Sequence, residues 1–145
     1  MSSSALETLI ELASAASDEA AQRLGRAVAA AADADQKLAL LLQYRDEYGE
    51  RFNQSLRQGL SPAGYQNFRN FIDKLDAAIA GQQQAVQQAK HSVERERGQW
   101  QASEKKRMSY DTLATRAQKQ ADLREQKRDQ KQMDEHAARA PLHRR

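Results

Sequence analysis

The chain's 145 residues are a usual length for one domain, but 39% hydrophobic residues (many of them alanine), 30% charged residues and 6% aromatics cannot fill a thick core. Such a composition fills a narrow seam between long helices. Without cysteine there are no disulfides or thiolate metal sites, a usage that fits a reducing cytosol, and the formal net charge is only +3.

Ser4 followed by Glu7 reads as a capping box in front of "LETLIEL", so a first helix is expected over about residues 4–57. The opening "MSSSALETLIEL" carries acids and no basic start, so it does not read as a signal peptide, and runs such as "AVAAAA" are too short to span a bilayer. From Ile10 the apolar residues alternate spacings of three and four through Ala13, Ser17, Ala20, Leu24, Ala27, Ala31, Ala34, Leu38, Leu41, Arg45, Tyr48 and Phe52. That is a heptad seam, and its small central residues let a partner helix approach closely.

The break lies in "LRQGLSPAGY". Gly59 is placed to cap the first helix, Ser61 to cap the second, and Pro62 to be its first residue. Leu60 and Tyr65 stand at the two positions of a hydrophobic staple. A turn as short as 58–62 makes the two helices antiparallel neighbours.

The second helix, over about residues 63–138, carries its own seam: Tyr65, Phe68, Ile72, Leu75, Ile79, Gln82, Val86, Ala89, Val93, Glu96 and Trp100. The seam weakens through Arg107, Tyr110, Ala114, Ala117 and Ala121 and ends where Arg124, Arg128 and Lys131 take the same positions. Pro141 is an expected stop. Folding back near residue 60 sets residue 10 opposite about residue 110 and leaves about residues 115–140 as an overhang. The overhang's i,i+4 pairs Arg124/Arg128, Glu125/Asp129 and Lys127/Lys131 are like-charged, with Glu125–Arg128 and Lys131–Asp134 expected to offset part of the repulsion. The overhang is therefore expected to fray when free and stiffen when bound, or else to be a disordered terminus. The expected architecture is all-α, a long antiparallel two-helix coiled coil with an overhanging C-terminal helix, in one domain.

Charge is unevenly placed. Residues 1–35 hold six acids against Arg23 and Arg26, while residues 116–145 hold nine Lys/Arg against five acids. A mixed tail without interleaved aromatics is a weak nucleic-acid signal. Beside the seam, Tyr44 and Phe71 occupy the same heptad edge and the turn brings those edges together. Leu41, Tyr44 and Tyr48 then form one stripe and Phe71, Leu75 and Ala78 another. This patch reads either as an enlarged seam with its rings folded over it or as a partner site. His91, His136 and His143 are scattered, none with a helical metal-ligand partner four residues away, and there is no Gly-rich phosphate loop. "NQS" at residues 53–55 is a weak sequon match. These features describe a protein that is not an enzyme and needs no cofactor.

Taken in order, "ALETLIELA", "DEAAQRLG", "LLLQYRDEY", "YQNFRNFIDKLDAAI" and "DQKQMDEHAARA" resemble the FliJ family, small coiled-coil proteins of the bacterial flagellar export apparatus. The resemblance covers about residues 5–140. It implies a stalk-like hairpin that binds the hexameric FliI export ATPase and the FlhA membrane export gate, and that cycles export chaperones for hook and filament-cap proteins. It places the protein in the cytoplasm, peripheral to the inner membrane at the flagellar base. The gate-binding surface it implies falls on Leu41, Tyr44, Tyr48, Phe71, Leu75 and Ala78, with Lys37 and Gln82 where the family has glutamine and histidine. It also implies that both helix ends meet the ATPase ring. In the tail, Met133, Ala137 and Ala140 form the apolar stripe, and with Arg124, Arg128 and Lys131 they are the candidates for that contact. The alternatives are the equivalent stalk protein of a virulence type III secretion system and a generic scaffold coiled coil.

Overall fold

The computed structural model describes residues 3–143, with side chains for residues 3–140. Among the described residues there are two helices and no strand: α1, Ser3–Gln58 (56 residues), and α2, Pro62–His143 (82 residues). The chain is the all-α helical hairpin that the two heptad runs predict.

Three residues make the turn. Gly59 has φ +96°, a left-handed conformation in which a side chain is strained, and its N–H reaches the Leu56 carbonyl at 3.4 Å to close the end of α1. The Ser61 hydroxyl accepts from the Gly64 N–H at 3.0 Å, and the Ser61 carbonyl accepts from Tyr65 N–H at 2.9 Å, which starts α2 with Pro62 as its first residue. Leu60 closes over Gly64, where a Cβ would lie 3.0 Å from Leu60 Cδ1. Gly59→Ala is expected to lower unfolding stability by about 1 kcal/mol, read as a shift in the urea midpoint at unchanged slope.

The hairpin comprises two compact units. The first, Asp18–Gln101, holds the turn. Its cross-helix partners sit roughly equidistant from residue 60: Phe52 with Phe68, Arg45 with Asp76, Ala34 with Gln82, and Arg23 with Glu96. In this unit α2 contributes the bulk of the core, with Ile72, Leu75, Ile79 and Val86 buried, whereas α1 contributes Ala20, which has no exposed surface. On the register those partners set, half-buried Leu38, Leu41, Arg45 and Tyr48 of α1 lie opposite Ile72, Leu75 and Ile79, so side chains of both helices fill the seam there. The polar seam residues are satisfied across it. Gln82 Nε2 donates to the Ala34 carbonyl at 3.0 Å, and Arg45 Nε lies 2.8 Å from Asp76 Oδ1. Tyr65 departs from the pattern: it is 44% exposed, because little of α1 lies opposite the first turn of α2, and its ring rests 5.5 Å from that of Phe52.

The second unit comprises the described residues of Met1–Ser17 and Ala102–Arg145. Ala13 and Ser17 are buried there. The Ser17 hydroxyl donates to Glu104 Oε1 at 2.8 Å, Arg107 Nη2 donates to Glu104 Oε2 at 2.7 Å, and Arg107 Nη1 donates to Asp111 at 3.0 Å. A polar ladder thus stands where the apolar heptad weakens, and no buried side-chain polar atom among the described residues lacks a partner.

Three local expectations are corrected. α1 begins at Ser3, so Ser4 lies inside the helix, where its carbonyl accepts from Thr8 Oγ1 at 3.0 Å. Ser4 is therefore not the residue that precedes the helix, as the Ser4–Glu7 pattern predicts. Pro141 does not stop α2, which continues to His143. A proline this close to a helix end removes one N–H from the ladder, and there is little helix beyond it to disrupt. Lastly, Glu125–Arg128 and Lys131–Asp134 do not form ion pairs, and Asp134 instead accepts from Gln130 Nε2 at 3.1 Å. Fully solvated long side chains gain only tenths of a kcal/mol from such pairs, roughly what ordering them costs.

Candidate functional site

In the turn-bearing unit, five aromatic rings form a ladder. Tyr48 lies 5.3 Å from Phe68 and 4.2 Å from Phe71, and Phe52 lies 5.4 Å from Phe68 and 5.5 Å from Tyr65. All the angles are tilted, the geometry that aromatic quadrupoles favour. The ladder does not close over its edge. Tyr44 stays 50% exposed and Phe71 43% exposed, and an open groove of about 350 Å³ runs between Tyr44, Tyr48, Phe71 and Leu75. Four of the six expected patch residues are thus brought together in one groove. Of the other two, Leu41 is half-buried at the seam and Ala78 is exposed, and neither lines the groove. Sequence reasoning missed Glu47 and Arg51, which complete the wall. The available signal was the spacing 44, 47, 48, 51, which returns to one helix face every three or four residues.

The other unit has a groove of its own, of about 360 Å³, lined by Leu9, Leu12, Ala13, Ala16 and Tyr110 with Ser103 and Lys106. Further along, Ala114, Ala117, Gln118 and Ala121 share a groove with Ser3, Leu6, Glu7 and Ile10, and these are the last α2 residues to do so. Residues 115–139 are exposed, and α2 remains helical through them.

On that stretch Met133 and Ala137 lie one turn apart, with Asp129, Gln132 and His136 around them. Met133 is 66% exposed. At about 100° per residue, Met133, Ala137 and Ala140 share one face, while Arg124, Arg128 and Lys131 fall on the opposite one. The six expected tail residues therefore form two faces, not one patch: an apolar stripe beside Asp122 and Asp129, and a basic ridge behind it.

Electrostatics are local. Arg107's hydrogen bond, then Ser17's, hold the Glu104 carboxyl below its ordinary value of 4.5, against an opposing push from desolvation. A carboxylate depressed on folding contributes stability that is present above its unfolded pKa and is lost as pH falls through its folded one. Glu104→Gln is therefore expected to melt below wild type at neutral pH, with the gap closing as pH falls below about 5. Thermal melts of both chains across that range check this, and a gap independent of pH would rule it out.

Among the described residues no group of His, Asp or Glu could hold a metal ion, and no helix is long and apolar enough to cross a membrane. What the described residues offer is surface: three grooves beside a helical seam and an exposed helical end, on an all-helical protein. The sequence model of the flagellar FliJ protein family matches residues 1–145. The flagellar FliJ protein of Escherichia coli (strain K12) is 31% identical over 138 residues, covering 95% of this chain and 94% of its own length. That of Salmonella typhi is 32% identical over the same coverage. The chain belongs to the FliJ family, and is a non-enzymatic component of flagellar protein export.

Proposed function

We propose that the protein acts as a stalk in the export apparatus. The exposed end of α2 engages a FliI-type ATPase hexamer, and the aromatic groove engages an FlhA-type membrane gate. The observation that carries the first half is the two-faced helix beyond residue 121, with Met133, Ala137 and Ala140 on one side and Arg124, Arg128 and Lys131 on the other. A flat partner can cover one face of a helix, whereas a ring lumen surrounds it and can contact both. The groove supports the second half: Tyr44 and Phe71 expose large rings next to a packed ladder, and preorganised aromatics beside a pocket are what partner sites favour.

The mechanism is one of coupling. A helix that contacts six subunits unequally can favour different nucleotide states at different subunits, and the shift is limited to the difference in its contacts with those states. Cycling of chaperones for hook and filament-cap proteins would follow from a stalk protein held at a cytoplasmic ring, at the inner-membrane face of the flagellar base. The flagellar family match favours this reading over a stalk of a virulence secretion system. The test is ATP hydrolysis by the cognate ATPase, with ring assembly confirmed, in the presence and absence of this chain. Stimulation is expected. No stimulation, together with concentration-dependent self-association, would instead support a scaffold coiled coil.

A further inference from the structure

We infer that the partner segment seated in the aromatic groove carries a carboxylate next to its apolar anchor, and that Arg51 receives it. This rests on the groove being the gate-facing site proposed above, and it names what that partner must present.

Arg51 forms the turn-proximal end of the groove wall and is exposed, and among the described residues nothing pairs with it. Among the described residues Arg26 and Arg57 of the same unit are unpaired too, but neither lines the groove, and other arginines of the unit are held. Arg45 is held by Asp76 at 2.8 Å, Arg69 lies 3.8 Å from Asp73, and Arg23 reaches Glu96 at 3.4 Å. Glu47, one turn before Arg51, is a possible i,i+4 partner but accepts from Gln43 Nε2 at 3.1 Å instead. The groove therefore carries an unpaired cation at one end and an anion in its middle, above a floor made by Tyr48, Phe71 and Leu75. A partner carboxylate opposite Arg51 is attracted, and one opposite Glu47 is repelled. The charges thus select both the partner's chemistry and its direction in the groove. A guanidinium suits this role because its fork binds a carboxylate through two parallel hydrogen bonds, and the aromatic wall beside it strengthens the pair by excluding water. From Tyr44 to Arg51 is about 10.5 Å along the helix at 1.5 Å per residue. An extended segment spans that distance in about three residues, so the carboxylate should follow the apolar anchor at about that separation.

The test measures binding of the full-length chain to the cognate membrane gate protein in detergent, at about 50 mM and about 500 mM salt. Arg51→Glu is expected to weaken binding about tenfold at low salt and much less at high salt, with Arg51→Lys in between. Tyr44→Ala and Phe71→Ala report on the groove itself and are expected to weaken binding at both salts. If those two weaken binding while Arg51→Glu binds like wild type at low salt, the groove is used but the carboxylate is not there, and the inference is overturned. A loss in Arg51→Glu of equal size at both salts overturns it too, since that is repacking and not charge. If Tyr44→Ala and Phe71→Ala also bind like wild type, the groove reading fails and takes the inference with it. Thermal melts of each variant confirm that the hairpin is intact.

Discussion

A chain ending at residue 121 is expected to melt within about 2 °C of the full-length protein and to lose essentially all stimulation of the export ATPase. The two halves of that expectation come from the same residues. Residues 122–139 are exposed and form no ion pairs, and their local hydrogen bonds are the Gln118–Asp122 and Gln130–Asp134 pairs on the helix surface. They bury nothing against α1, so deleting them removes almost none of the apolar burial that stabilises the fold. The truncation at 121 keeps Ala114, Ala117 and Ala121 beside Leu6 and Ile10. A cut at residue 115 would disturb that groove and confuse stability with binding. Point variants divide the contact further. Met133→Asp removes the apolar face, and changing Arg124, Arg128 and Lys131 together to glutamate reverses the basic one. If the lumen contacts both faces, each variant alone lowers stimulation at least tenfold, and only the basic-face variant does so in a salt-dependent way. Full stimulation by the chain ending at 121 would place the ATPase contact elsewhere and leave the overhang without this role.

The second large effect is on stability. Ile72→Ala is expected to cost about 2–3 kcal/mol, because Ile72 is 5% exposed at the seam, opposite the Arg45–Tyr48 stretch of α1, and truncating it leaves a gap there. The figure sits at the low end of the range for buried isoleucine because a two-helix seam has no second layer, so water and neighbouring side chains can partly occupy the gap. The converse change, Ala20→Leu, meets a site with no exposed surface, and overpacking there is expected to cost about 1–3 kcal/mol by forcing the helices apart. Leu42→Ala is the control. Leu42 is 43% exposed, off the seam, and its loss is expected to stay within about 0.5 kcal/mol. Urea unfolding followed by circular dichroism ranks the three. A cost for Leu42→Ala equal to that of Ile72→Ala would mean that the heptad positions do not carry the core.

The heptads made much of this architecture legible. The seam residues from Ile10 to Phe52 and from Phe68 to Ala114 are all at least half-buried, because a repeat of three and four puts a side chain on the same face of a helix whatever else the chain does. Gly59, Ser61 and Pro62 act where their chemistry placed them, since a cap depends on a few adjacent residues. Ser4 and Pro141 mislead for a related reason: helix ends are decided by small local balances that a motif match does not weigh. The tail pairs Glu125–Arg128 and Lys131–Asp134 have the right spacing, but spacing alone cannot hold long side chains together in water.

The candidate groove was half legible. Tyr44, Tyr48, Phe71 and Leu75 could be placed on one edge by counting heptads from the turn, but Glu47 and Arg51 could not be picked from many other charged residues. The sequence by itself determined the two helices, their antiparallel register about residue 60 and the side each residue faces, because all of these follow from periodicity and turn chemistry along one chain. Only the tertiary structure decided that Tyr48 is stacked while Tyr44 stays open, and that Asp76 takes Arg45 while nothing takes Arg51. Exposure and pairing depend on what the facing helix brings to within a few ångströms, and residues that meet that way are far apart in the chain.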